Sequence, residues 1–148
     1  MIRADGIQEL DLVLEEFQRR WRVRLRRTIR DALGDSAGLR AFPLLGQVVC
    51  HGPLSPTELA QRLELRTSTI AAHVDRLEEL GWATRGGKGR KGVLVQATPE
   101  GEAAHRRYLG LRRQLLGEFT LPLRDEEVQA LRRLLDALVA GQSAEDSQ

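Results

Sequence analysis

Residues 54–82, LSPTELAQRLELRTSTIAAHVDRLEELGW, constrain the fold more tightly than any other part of the chain. Ser55 stands where a helix N-cap belongs and Pro56 at the first helical position, where a missing N–H costs nothing. Glu58, three residues on from Ser55, completes a capping box. A short helix therefore starts at Ser55. Ile70, Val74, Leu77 and Leu80 then recur at helical spacing, and Gly81 follows where a left-handed C-terminal cap is needed. Only a turn around Glu64 to Arg66 separates the two helices, and this is the pattern of a helix-turn-helix.

The residues that follow turn this pair into a larger unit. WATR and VLVQAT read as two short strands, and GGKGRKG at 86–92 joins them as a flexible hairpin. Four glycines and three cations in seven positions cannot be core, so the loop is a wing whose tip meets something outside the chain. Thr98 and Pro99 then open another helix as cap and first-turn residue.

Long helical patterns flank this unit. From about Gln8 to Leu33, the residues Leu10, Val13, Leu14, Phe17, Trp21, Leu25 and Ile29 fall along one face. The second half of that helix is rich in arginine, from Arg19 to Arg30, which reads as a solvated face or as a contact for phosphates or an acidic ligand. The stretch GLRAFPLLGQVVCHG reads as a buried helix that tolerates Pro43 only in its first turn and ends at Gly52. A last helix carries Val128, Leu131, Leu135 and Leu138 on one stripe, with Gly141 after it. The fold class is therefore mainly α with a small β-hairpin wing.

The remaining composition narrows the function. At 148 residues the chain is long enough for one domain with its own core, and with aromatics at only 4% that core must be aliphatic. A net charge of +2 does not announce a nucleic-acid partner, so the argument rests on local clusters of charge. The single cysteine, Cys50, excludes an intrachain disulfide and is expected to be a small core residue in a reducing compartment. No stretch approaches the length of uncharged sequence needed for a membrane span, which makes a soluble, cytoplasmic protein the expectation. Cys50, His51, His73 and His105 form no metal-ligand pattern, and neither a nucleotide loop nor a nucleophile elbow is present. The sequence gives no reason to expect an enzyme, a cofactor or a metal.

The run from Leu54 to Gly101, with its order of helix, turn, helix, DRLEELGW, basic wing and TPEG, resembles the winged helix-turn-helix core of the MarR family of bacterial transcriptional regulators. The flanking helices match that family's layout. The resemblance implies a homodimer built from the first helix and the last two, which presents two winged heads to a pseudo-palindromic site on double-stranded DNA. It divides the chain into an N-terminal dimerisation helix at 8–36, a winged helix-turn-helix lobe at 37–98, C-terminal dimerisation helices at 99–141 and a flexible tail at 142–148. It also implies a small aromatic or anionic effector in a crevice between the lobes, where Trp21 and its neighbouring arginines are candidates, the alternative being that Trp21, an aromatic at helical spacing, belongs to the core. Apolar stripes at both ends of a small chain independently favour pairing, because a monomer would expose them.

The expected DNA contacts follow from the fold. The second helix of a helix-turn-helix enters the major groove with its N-terminal residues nearest the bases, here Arg66, Thr67, Ser68 and Thr69. Arg66 is the first candidate for reading guanine, while Thr67 or Ser68 can serve either DNA or the helix cap. His73 and Arg76 lie farther along, and Arg76 can instead pair with Glu79 or Asp75. Ser55 and Thr57 offer hydroxyls and backbone N–H groups to a phosphate at a helix start. In the wing, Lys88, Arg90 and Lys91 can follow phosphates into the minor groove.

The chain departs from the family's pattern in two places. Gly89 stands where relatives have an aspartate before the wing arginine, which implies a more mobile wing. Ala71 and Ala72 stand where polar or basic residues are common. A transcriptional regulator that acts as a repressor is the first reading; an architectural DNA-binding protein of low specificity and a winged-helix protein-interaction module are the alternatives.

Overall fold

The computed structural model describes residues 2–34, 39–89 and 92–145. The elements run α1 (Ile2–Leu33), a short 3-10 turn (Leu39–Ala41), α2 (Phe42–His51), α3 (Pro56–Leu63), α4 (Thr67–Glu79), β1 (Ala83–Gly89), β2 (Gly92–Ala97), α5 (Pro99–Phe119) and α6 (Asp125–Glu145). Two compact units divide within α5, Met1–Arg112 and Arg113–Gln148.

The first unit holds the core. Phe42, Leu44, Leu45 and Val48 of α2, Leu59 of α3, and Ile70, Val74 and Leu77 of α4 are all buried, together with Val95 of β2. Each such side chain contributes about 1.5–3 kcal/mol when fully removed from water, so these three short helices are held mainly by one another. Ala41, Phe42 and Pro43 set the start of α2, with proline in the first turn, and Gly52 at φ 78° ends it as expected.

Local chemistry fixes each boundary of the helix-turn-helix. Ser55 is the N-cap of α3, and its Oγ accepts a hydrogen bond from the Glu58 N–H at 3.1 Å. Glu64 closes the helix in the left-handed conformation, φ 53° and ψ 41°, and the Leu65 N–H reaches back to the Ala60 carbonyl at 3.0 Å. At the far end of α4, Gly81 takes φ 76° while its N–H reaches the Glu78 carbonyl, and the Trp82 N–H bonds the Leu77 carbonyl at 2.8 Å. That pair of bonds is the left-handed cap the sequence predicts.

The hairpin is locked at its base. Leu54 and Val95 exchange backbone hydrogen bonds of 3.1 and 2.7 Å, so the segment before α3 adds a bridge to β2. Thr98 caps α5 by accepting from the Gly101 N–H at 3.0 Å, and its hydroxyl donates to the Gly81 carbonyl at 2.6 Å. The start of α5 is thereby tied to the end of α4.

Three boundaries and the burial of one residue differ from the sequence expectation. Helix α1 begins at Ile2 rather than near Gln8; Asp5 lies in its first turn, where the helix dipole favours an acid, and the cost of Gly6 is spread over a long helix. Helix α6 runs through Gly141 to Glu145, so residues 142–145 are helical rather than tail. Gly141 has no positive φ, and no proline follows to stop the helix. Residues 146–148 lie outside the described residues. The glycines assigned to the wing loop are largely strand: Gly86 pairs with Leu94 and Gly89 with Gly92. Between those pairs Gly87 and Lys88 oppose Val93 alone, a bulge that Gly87 accommodates at φ 82°. Finally, Cys50 is exposed at the end of α2 rather than in the core, because the buried face there is taken by Leu44, Leu45 and Val48.

Candidate nucleic-acid interface

Helix α4 presents its first turn to solvent. Arg66 is the N-cap residue in an extended conformation, and no side chain caps the helix. The N-cap position considered for Thr67 or Ser68 is thus held by Arg66 instead. Arg66, Thr67 and Ser68 are exposed and Thr69 is half-buried, while Ile70 one position on is fully buried and fixes the rotation of the helix. Ser68, Ala71, Ala72, Asp75 and Glu79 follow at helical spacing, and all are exposed.

The other predicted residues divide. His73 and Arg76 are half-buried, and Arg76 pairs with Glu79 at 2.8 Å. Thr57 is exposed in the first turn of α3, whereas Ser55 is buried and its oxygen serves the cap. Ser55, Thr57, Glu58 and Gln61 line an open pocket of about 330 Å³ at that helix start. Lys88 lies on β1 in the bulge; Arg90 and Lys91 fall outside the described residues.

One residue that joins this surface was not singled out by sequence. Arg85 of β1 donates from Nη2 to Asp75 Oδ1 at 2.7 Å and to the Ala71 carbonyl at 3.4 Å, and from Nη1 to Glu78. The hydrogen bond with Asp75 raises the guanidinium pKa further above its ordinary value. A signal was available: Asp75 and Glu78 are spaced three apart on α4, so they share a face, and Arg85 sits at the start of the strand that follows.

The arginine-rich half of α1 resolves partly into local pairs. Glu16 accepts from both Arg19 and Arg20, and those two hydrogen bonds hold its carboxyl down to about 2. Trp21 stacks with Phe17 at a centroid distance of 6.3 Å, and the Arg112 guanidinium lies 5.7 Å from the Trp21 ring. Among the described residues no group of three or more His, Cys, Asp or Glu side chains could hold a metal ion.

A sequence profile of the MarR family matches residues 38–91, the span from before α2 to the wing. The multiple antibiotic resistance protein MarR of Salmonella typhimurium is 32% identical over 104 residues, which cover 66% of this chain and 70% of that protein. The chain belongs to the MarR family of transcriptional regulators. The HTH-type transcriptional regulator PecS of Dickeya dadantii is also 32% identical, over 101 residues that cover 65% of this chain and 61% of PecS. The fold agrees: FabT of Streptococcus pneumoniae, solved in complex with DNA, superposes with a TM-score of 0.79 at 17% identity, covering 95% of this chain and 99% of FabT. In MarR-family terms α3 and α4 are the helix-turn-helix of a DNA-binding winged helix, and β1 and β2 are its wing. These relatives are regulators rather than enzymes.

Proposed function

We propose that this MarR-family chain is a homodimeric repressor that binds a pseudo-palindromic operator in double-stranded DNA. The observation that carries this reading is the first turn of α4, where Arg66, Thr67 and Ser68 stand exposed on a helix whose rotation is fixed by Ile70, Val74 and Leu77. A guanidinium there can bridge guanine O6 and N7, and the neighbouring hydroxyls can serve bases or phosphates. Thr57 supplies a register-fixing phosphate contact at the start of α3. Lys88, Arg90 and Lys91 give the wing a purely electrostatic grip along the minor groove.

In this reading α1 and the helices after Thr98 form the dimer, and residues 37–98 form the DNA-binding lobe. The protein works in the cytoplasm. Among the described residues no helix is long and apolar enough to cross a membrane. The effector is a small aromatic or anionic molecule, for which Trp21 and Arg112 offer a ring face and a cation. It acts by favouring a conformation that fits DNA poorly.

One observation favours a second reading. Ala71 and Ala72 are exposed where a base-reading face needs donors and acceptors, and they offer only methyl groups. An architectural protein of low specificity would use such a face. A fluorescence-anisotropy titration separates the readings, using the chain's own upstream intergenic duplex and a scrambled duplex at several salt concentrations. A preference of about a thousandfold or more, with salt-dependent affinity, supports the operator-specific repressor. Equal affinity for both duplexes supports the architectural reading. No binding at low salt leaves a winged-helix protein-interaction module as the reading.

A further inference from the structure

The second half of α4 is acidic. Asp75, Glu78 and Glu79 occupy its last two turns, and Asp75 and Glu79 continue the exposed face that begins at Ser68. A face laid along a duplex brings those carboxylates toward phosphates, where like charges repel. Arg76 answers Glu79 from within the helix, at 2.8 Å. Asp75 and Glu78 are answered from outside it, both by the guanidinium of Arg85 on β1.

The strand holds that guanidinium firmly. Arg85 pairs across the hairpin with Val95, a fully buried residue fixed to Leu54 by two backbone hydrogen bonds. From this anchored base the fork reaches both carboxylates and the Ala71 carbonyl, so it spans α4 from its first half to its last turn. The Arg85 and Glu78 side chains are 34% and 35% exposed and Asp75 is 63% exposed, so the pair with Asp75 is the more strongly screened by solvent.

We propose that Arg85 is a positioning residue for DNA binding: it acts as the internal counter-ion of Asp75 and Glu78, ties the wing to the recognition helix, and lets an acidic helix approach phosphates without touching them itself. This proposal rests on the DNA-binding reading above. It assigns Arg85 a role different from that of the wing-tip cations, which act by direct contact.

A double-mutant cycle tests it, with anisotropy on the same two labelled duplexes at low salt and thermal melting as a check on folding. Arg85→Ala in the wild-type background is expected to weaken binding to both duplexes by about tenfold, because it removes the counter-ion of two carboxylates on the recognition helix. In a D75N/E78Q background the same change is expected to cost less than about twofold, since no charge remains to be uncovered. Equal losses in the two backgrounds would make Arg85 a direct phosphate ligand or a plain structural residue, and would overturn the proposal. The D75N/E78Q chain also serves where Arg85→Ala does not fold: it is expected to bind at least as tightly as wild type, and weaker binding counts against the counter-ion role. If the wild-type chain binds neither duplex, the DNA-binding reading fails and takes this one with it. If the wild-type chain binds but the cycle shows no coupling, only this proposal fails.

Discussion

At Gly101 a side chain would begin 1.9 Å from the Trp82 carbonyl oxygen, and that oxygen already accepts a hydrogen bond from the Thr98 N–H. The backbone atoms in this contact belong to a capped turn and a helix start, so neither partner can yield cheaply. Gly101→Ala is therefore expected to destabilise the fold by about 3 kcal/mol, at the upper end of the usual cost of overpacking. Gly110 on the same helix meets nothing within 4 Å, and Gly110→Ala is expected to stabilise by about 0.5–1 kcal/mol through helix propensity. Urea unfolding of the two variants compares them directly, and similar effects of one sign would refute the steric account. For binding, Arg66→Ala is expected to reduce the preference for operator over scrambled DNA by about 1–3 kcal/mol, with the salt slope changed little if the contact is to a base. Equal weakening on both duplexes would place Arg66 on a phosphate instead. At this scale the sequence was legible wherever a residue's partner lies within one helical turn: Ser55 with Glu58, Thr98 with Gly101, and Gly81 with the last turn of α4. The roles of Gly101 against Trp82 and of Arg85 against Asp75 depend on elements meeting in space, which spacing alone does not show.

Whole elements were legible where apolar periodicity and a cap agree, as in α2, α3 and α4. Their ends were not legible where glycine was the only stop signal: α6 passes through Gly141, and β1 takes in Gly86 to Gly89, because glycine permits a turn without requiring one. The contact of α5 with α2 supplies a pH-dependent term. His105 is buried, its Nε2 lies 3.1 Å from where a Cβ on Gly46 would stand, and its pKa is lowered by burial, which disfavours the imidazolium. The unfolded chain then takes up the proton first. Stability is full above the unfolded value of about 6.5 and is lost as pH falls from there through the depressed folded value. Thermal melting between about pH 8 and pH 5 should show this decline in the wild type and a flatter profile in His105→Gln. Identical profiles would mean that the imidazole is accommodated when charged. The stacked rings of Phe42 and Tyr108, 4.4 Å apart at 10°, border the same contact, so near-ultraviolet circular dichroism can follow this junction directly.

For the whole molecule the central fact is that the apolar stripe of α1 changes character along its length. Leu25 and Ile29 are buried, whereas Leu10, Val13, Leu14 and Phe17 on the same stripe are 42–67% exposed. In the second unit α6 repeats the pattern without a buried end, leaving Leu131, Leu134, Leu135, Leu138 and Val139 exposed. Two contiguous apolar stripes on one small chain are more than a soluble monomer normally shows, and a second copy is the partner that both stripes fit in the homodimer reading. Leu135→Glu together with Leu138→Glu is then expected to yield a monomer by light scattering, because each charge would have to be desolvated in the paired state. The same variant separates shape from contact in DNA binding, since it leaves Arg66, Thr67 and the wing untouched. A dimer engages its second half-site as an intramolecular event, so loss of pairing should lower operator affinity on the order of a hundredfold or more. It should also reduce the slope of log affinity against log salt to about half, because one winged head neutralises about half as many phosphates as two. A folded variant that stays dimeric would move the interface away from α6. A monomer that keeps full affinity and slope would mean that one winged head carries all the binding, and the palindromic operator would lose its physical basis.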